Sequence, residues 1–598
     1  MKSLFSLAAI FFGSLVSAQN FRIRLPLFPK ASHGQIRLQT TPIPIVSTLY
    51  CCFCSSAADY DPLFLQWPLP TPVSYRDVIL VNGVFPGPLI EANWGDTIQV
   101  TVHNKITGPE EGTALHWHGI LQKTSHCFLP SEFTIAKNST NFIIRWFDGV
   151  PGVQQCPIAP NGTFTYSFLA DLYGTSWWHS HYSAQYNAGI FGPMIIHGPQ
   201  TTPYDIDVGP VLLTDWYHPD YFSLVEDVTS TDITRVLVKS DSNLIQGKGF
   251  FDCTKKAAND TTPCKANNAS IPTFKLTPGK KHRFRLINAG TEAIQKFAID
   301  GHNMTVIAND FVPVKPYSTQ VVTLGVGQRT DVIVTGISNG QGSYWLRSTI
   351  AACSLASNPE AKAVVYYGTT PNLKPTTTAS AAFTSSVANS CKNDALTVTE
   401  PWFPITPDPN PPTTQTIDIE FAQNATGHFV WEMNGSSFRT NYNQPILLLS
   451  KAGNNSYPFS PQWNVYNFGS NSSVRIILTN PGGAAHPIHL HGHNMFVLAE
   501  GTGTWDGKVV RPANPQRRDV QTLQGGGYMV LQFAQDNPGI WPLHCHIAFH
   551  VSSGLYVSVM ERPADIAKLP IPSIMAQTCR DWAAFTNTVV VDQIDSGL

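Results

Sequence analysis

The sequence predicts an all-β protein made of three homologous β-sandwich domains, and three observations predict it. Forty-three glycines and 46 prolines punctuate short apolar runs, the pattern of many strands joined by turns. Alternating strands ending in asparagine recur at Thr97–Asn104, His282–Asn288 and Val474–Asn480, with apolar side chains four and two residues before each asparagine: Val100 and Val102, Phe284 and Leu286, Ile476 and Leu478. Those asparagines lie 184 and 192 residues apart, and Gly301-His-Asn-Met304 recurs 191 residues on as Gly492-His-Asn-Met495. Third, histidines come in pairs at period two, as strands present them.

Length and charge bound the answer. A chain of 598 residues is too long for one core. Net charge is −2, only 13 % of residues are charged, and no basic run is interleaved with aromatics, which excludes the usual signature of nucleic-acid binding.

From the N-terminus, residues 1–18 read as a secretory signal: Lys2, an apolar run from Leu4 to Val16, and Val-Ser-Ala before Gln19. Residues 19–59 form a segment of doubtful order. Domain 1 is expected at 60–198, domain 2 at 199–368 and domain 3 at 416–598. Between the last two, 369–415 is rich in Thr, Pro, Ser and Ala and reads as a surface linker. No later apolar run is long enough to span a bilayer, so a soluble, secreted protein is expected. Nine N-x-S/T sequons fit a glycoprotein.

Chemistry concentrates in four H-x-H pairs: His116-Trp-His118, His179-Ser-His181, His489-Leu-His491 and His544-Cys-His546. A helical site would space its histidines at i, i+3 or i+4, so the repetition points to strands converging on a shared metal cluster. One such pair alone would be read as a polar strand face; four pairs, one with a cysteine inserted, are not. In the last pair Cys545 faces away from its two neighbours, so one strand can serve two metal sites. Cys545 and His550 offer the thiolate and imidazole that suit copper. The middle domain keeps the histidine of the Gly-His-Asn-Met echo without any H-x-H pair, so His493 is expected to be structural. Isolated histidines, among them His103, His218, His282 and His428, are expected in surface or core roles.

The motifs H-W-H-G (116–119), W-W-H-S-H (177–181), H-P-I-H-L-H-G-H (486–493) and H-C-H-I-A-F-H (544–550) occur in the order found in multicopper oxidases. From about Asp77 to Leu598 the chain resembles that family, specifically its ascomycete fungal laccases. The resemblance implies three cupredoxin-like Greek-key β-sandwich domains and four copper ions. It assigns His486, Cys545 and His550 to a mononuclear site with Leu555 in the axial position, where the lack of a donor atom implies a high reduction potential. It assigns His116 and His489 to a lone copper, and His118, His179, His181, His491, His544 and His546 to a coupled pair. Asp148 matches a carboxylate thought to assist proton transfer, and Asp241 one that contacts phenolic substrates. Each has an ordinary alternative, a turn aspartate before glycine and a loop cap. Ala548 stands where many relatives carry an acidic residue. The implied reaction is one-electron oxidation of phenols and related aromatics coupled to four-electron reduction of O2 to water, by a monomer with no nucleic-acid or membrane partner. The rival readings are an Fe(II) oxidase on the same fold and a non-catalytic copper binder.

The chain has eleven cysteines, and six of them, Cys156, Cys253, Cys264, Cys353, Cys391 and Cys579, allow fifteen pairings. The resemblance implies Cys156 with Cys579 and Cys353 with Cys391, leaving Cys253 with Cys264. It also implies that the terminal Asp595-Ser-Gly-Leu598 folds back toward the three-copper cluster. One stretch departs from the family. His118 and Asp148 are 30 residues apart, roughly twenty too many for a short connection. The excess, about Thr124 to Trp146, holds an odd Cys127 and a sequon at Asn138. A translated, unspliced intron accounts for it more simply than a new loop, and residues 21–57 invite the same reading; a genuine loop would have to leave His116, His118 and Asp148 in place.

Overall fold

Each asparagine that marks the repeat ends its strand by folding the chain back on itself. In the computed structural model Asn104, Asn288 and Asn480 each accept, through Oδ1, the backbone N–H two residues on. Each also donates its amide to a distant carbonyl, those of Ile158, Leu324 and Gln524. An Asx turn of this kind satisfies backbone groups that a strand end leaves open, which is why the same residue recurs. The structure describes residues 46–52, 78–106, 112–123, 146–249, 251, 253–255, 271–457, 461–589 and 594–598.

Among these residues the sheets fall into three pairs. The first pair has four strands each, the second seven and five, the third six and five. β1 (Val46–Cys52) runs parallel to β2 (Thr97–Lys105), whose burial alternates as its sequence predicts. β3 (Leu115–Trp117) and β4 (Gly174–Ser180) pair antiparallel in the companion sheet, with His116 opposite His179. In the middle pair, β5 (Lys281–Asn288) lies between a parallel strand, Ile206–Trp216, and antiparallel β6 (Arg329–Thr335). In the third, β7 (Ser473–Asn480) has the same two kinds of neighbour, parallel Thr413–Gln423 and antiparallel Gly527–Ala534. Its partner sheet holds β8 (His486–Leu490), β9 (Val520–Leu523) and β10 (Gly539–Cys545) side by side, with His489 opposite His544. Parallel neighbour, asparagine strand, antiparallel neighbour: the arrangement is the same three times.

Two expectations shift. Val46–Cys52, within the segment of doubtful order, is taken into a sheet in the position that Ile206–Trp216 and Thr413–Gln423 hold in the other two; the rest of 19–59 and the signal lie outside the described residues. The third sheet pair begins at Thr413 rather than 416, because Thr413 to Asp418 pair in register with β7. The linker is tied to the middle module by Cys353–Cys391, by Tyr317 donating to Asp394 and by Asn393 donating to Gln328. Cys156 bonds Cys579 on helix α2 (Ser573–Phe585), which follows the short α1 (Ala548–Ser552). Cys253 is also disulfide-bonded, while Cys264 lies outside the described residues. Of the suspect 124–146 stretch only Trp146 is described. It is fully buried and donates to the carbonyl of Pro570, so it belongs to the core.

One apolar cluster runs through all three modules, from Trp177 through Leu212 and Ile287 to Ile488, Leu543 and Cys545. No helix among the described residues is long and apolar enough to cross a membrane.

Candidate metal centre

Strand register does most of the assembly. A residue and its directly opposite partner on an antiparallel pair bring their side chains together on one face, so β3 with β4 delivers His116 beside His179 and β8 with β10 delivers His489 beside His544. Period two adds His118, His181, His491 and His546. The two sheets then meet face to face. His118 stacks on His489 with ring centres 4.1 Å apart, and His116 lies 4.0 Å from His491. All eight H-x-H histidines are buried.

Hydrogen bonds fix which nitrogen of each ring is free. Nδ1–H donates to a backbone carbonyl in His116 (Asp148, 2.8 Å), His179 (Ser180, 2.9 Å), His489 (Asp519, 2.8 Å) and His544 (Cys545, 2.7 Å). His491 Nδ1–H donates to Asp148 Oδ2 at 2.9 Å. The Nε2 lone pairs left over point inward: those of His116, His179 and His489 have no partner, and those of His491 and His544 face each other at 3.0 Å. Two bare imidazole lone pairs at that distance repel unless a cation lies between them. Burial holds His118, His179, His181, His489, His491 and His546 well below the usual histidine value, and His544 at about 3, so these rings are neutral and could serve as metal ligands.

A second group lies on the other face of β10. His486 Nδ1 and His550 Nδ1 are 3.1 Å apart, and Cys545 Sγ is 3.5 Å from His550 Nδ1. Burial holds His486 at about 3 and pushes the Cys545 thiol well up. A thiolate forms in so dry a place only with a cation beside it, and one thiolate with two imidazoles is a donor set that copper fits. Cys545 is buried and forms no disulfide. Leu555, fully buried, follows α1 and accepts a hydrogen bond from the backbone N–H of Cys545.

Asp148 is completely buried, with Oδ1 3.2 Å from His116 Nδ1 as well as Oδ2 on His491. Asp241 accepts the backbone N–H of His218 and lies beside that ring, on the turn after Trp216. His493 donates to the carbonyl of His491 and sits 3.0 Å from Glu561; His302, its echo, bonds the carbonyl of Asp300 in the same way. Leu598 is buried and lines the same cavity as His179, His181, His544 and His546. Ser183, Thr440 and Tyr442 hold the backbone carbonyls of Ser596 and Gly597.

Two residues at these sites were not singled out from the sequence. Trp431 packs its ring 4.7 Å from both His486 and His550 and is part-exposed; a lone tryptophan far from any motif gives no signal. Asp519 bonds His118 through its carboxylate, 3.1 Å from Nε2, and His489 through its carbonyl. Its signal was present: Arg517-Arg518-Asp519 puts three charges among strands of a chain otherwise poor in them.

Three multicopper oxidase family models match, over residues 67–202, 207–370 and 406–565. The chain is 37 % identical to Laccase-1 of Botryotinia fuckeliana over 536 residues, 88 % of this chain and 86 % of that one. It is 35 % identical to Laccase-1 of Melanocarpus albomyces over 558 residues, 89 % and 83 % of the two chains. The solved structure of a laccase from Botrytis aclada superposes with a TM-score of 0.78 at 32 % identity, covering 94 % of this chain and 96 % of that one.

Proposed function

This chain belongs to the multicopper oxidase family, and from that premise we propose that it is a secreted laccase, oxidising phenols, diphenols and related aromatics one electron at a time and reducing O2 to water. The observation that carries the proposal is the bare Nε2 pair of His491 and His544, 3.0 Å apart in a cluster of eight buried imidazoles, with a separate group of Cys545, His486 and His550 on the other face of β10. Four copper ions, one on His486, Cys545 and His550 and three on the histidine cluster, would supply one-electron acceptance at the first site and four-electron reduction of O2 at the second.

The chain's own residues do the rest. His486 and His550 lie under Trp431, so an aromatic donor arriving beside that indole is brought within reach of the imidazoles. Cys545 sits between His544 and His546 in covalent continuity, which joins the two sites by bonds rather than by space. Asp148, whose Oδ2 accepts from His491 and whose Oδ1 lies 3.2 Å from His116, is the carboxylate to hold and return the protons that water formation consumes. Asp241 takes the role of hydrogen-bond acceptor for a phenol. The C-terminal Leu598 narrows the way in to the cluster.

The test is metal analysis with visible spectroscopy and O2 uptake. Four copper atoms per chain, a blue colour from thiolate-to-copper charge transfer, and faster turnover on a diphenol than on Fe(II) support the proposal. Preferred turnover of Fe(II), or one to two copper atoms in copper-replete protein, overturns it.

A further inference from the structure

The middle module supplies none of the residues proposed to bind copper, which by sequence makes it a spacer. Its Arg329, at the start of β6, nevertheless reaches the cluster. Both guanidinium Nη groups donate to the Asp519 carboxylate, at 2.5 and 2.6 Å. The Arg329 Nε and Nη1 groups also donate to the carbonyls of Thr175 and Gly327. Behind it Asp310 accepts the Arg329 backbone N–H and takes a two-pronged bond from Arg518. Arg329, Asp519 and Asp310 are wholly or almost wholly buried. A lysine has one charged centre and could not grip both oxygens while holding those carbonyls.

Room for the pair is made by glycines. Gly119, the last residue of H-W-H-G, has φ +78°, and a Cβ there would stand 2.5 Å from Asp519 Oδ2 and 2.7 Å from Arg329 Nη2. A Cβ on Gly327 would stand 2.7 Å from the His546 ring and 3.1 Å from that of His118.

Asp519 is the counterpart of Asp148. Each holds one histidine of its own module by its backbone carbonyl and one of the other module by its carboxylate: His116 and His491 for Asp148, His489 and His118 for Asp519. The two carboxylates differ in what else they meet among the described residues, where Asp519 is clamped by a guanidinium and Asp148 meets histidines. They differ in effect too. His116, His179, His489, His491 and His544 bond away Nδ1 and keep Nε2 free, whereas His118 bonds away Nε2 and turns Nδ1 to His546 Nε2, 3.2 Å off.

We propose that Arg329 and Asp519 are positioning residues: the middle module, through Arg329, locks the Asp519 carboxylate, and that carboxylate sets the His118 tautomer that presents Nδ1 to the coupled pair. This rests on the ligand set proposed above and adds that the middle module shapes the cluster without binding it.

The test uses the full-length, copper-loaded protein with Asp519→Asn and Arg329→Met. Copper per chain, blue absorbance, the electron paramagnetic resonance spectrum and reloading of the copper-free protein are measured against wild type. Blue absorbance reports the His486–Cys545–His550 site and serves as the check on folding. Expected in both variants is unchanged blue absorbance with copper bound at the pair about 10- to 100-fold more weakly, the range for loss of a partner that orients a metal ligand. In Asp519→Asn the resonance of the lone copper persists, because the carbonyl that holds His489 is untouched. Wild-type copper affinity in both variants overturns the proposal, as does loss of blue absorbance and cluster copper together, which would make the network a general scaffold. A wild-type protein without cluster copper would instead defeat the functional reading.

Discussion

Gly149→Ala puts a single methyl where the site has no room for one. Gly149 follows Asp148 with φ +88°, and a Cβ there would lie 1.7 Å from the carbonyl oxygen of Leu115 and 3.1 Å from the His116 nitrogen. An ordinary C···O contact is about 3.3 Å, so β3 or the 147–150 turn must yield by roughly 1.5 Å. The left-handed backbone costs about 1–2 kcal/mol for alanine before any clash, and the overlap places the total among the large losses of more than about 4 kcal/mol. The shift falls on His116 from two sides, through its strand and through the Asp148 carbonyl that accepts its Nδ1–H. Because misplacing a reacting group by about 1 Å can cost about 100-fold in rate, O2 consumption is expected to fall by at least that factor. The His486–Cys545–His550 group lies on β8, β10 and α1, so blue absorbance per folded chain is retained. Copper analysis, blue absorbance and an oxygen electrode read the three quantities together. A Gly149→Ala protein with wild-type copper content and O2 consumption within twofold of wild type would refute the reasoning.

Four more outcomes are expected. Cys545→Ser abolishes blue absorbance and oxidase activity while far-UV circular dichroism keeps the β-sheet spectrum; retained colour would sink the assignment. Asp148→Asn, which removes the charge but keeps an acceptor for His491, lowers O2 reduction about 10- to 100-fold at unchanged blue absorbance, since a hydrogen bond to a charged group contributes about 1.5–3 kcal/mol. Deleting Asp595–Leu598, or appending residues to Leu598, changes O2 consumption without changing reduction of the blue site by a diphenol; unchanged O2 consumption would dismiss the tail. For copper-free protein the folded pKa of His486 and of His544 is about 3 against 6.5 for a free side chain. Below pH 6.5 the unfolded chain therefore binds more protons, and stability falls as pH drops from 6.5 toward 3, by about 1.4 kcal/mol per unit for each ring. The unfolding temperature of copper-free protein measured from pH 7 to 4 should fall steadily, and a flat curve would contradict the burial of these rings.

The sequence by itself determined the repeat and the histidine pairs, because both are local. An asparagine that closes its own turn and an alternation that fixes the face of each side chain need no knowledge of the rest of the chain, so Asn104, Asn288, Asn480 and the four H-x-H pairs could be read directly. The disulfides Cys156–Cys579 and Cys353–Cys391 came from family resemblance, since sequence offered fifteen pairings. What only the tertiary structure decided is who meets whom across modules. That His116 lies on His491 and His118 on His489, that Asp519 completes what Asp148 begins, and that Arg329 of a module without ligands reaches the cluster are consequences of two sheets docking face to face. Those partners are separated by 190 residues or more, and the hydrogen bond that fixes the free nitrogen of His118 spans 401. Strand periodicity gives each side chain a face; it carries no information about the opposite surface, and for His118 the choice between Nδ1 and Nε2 is made there.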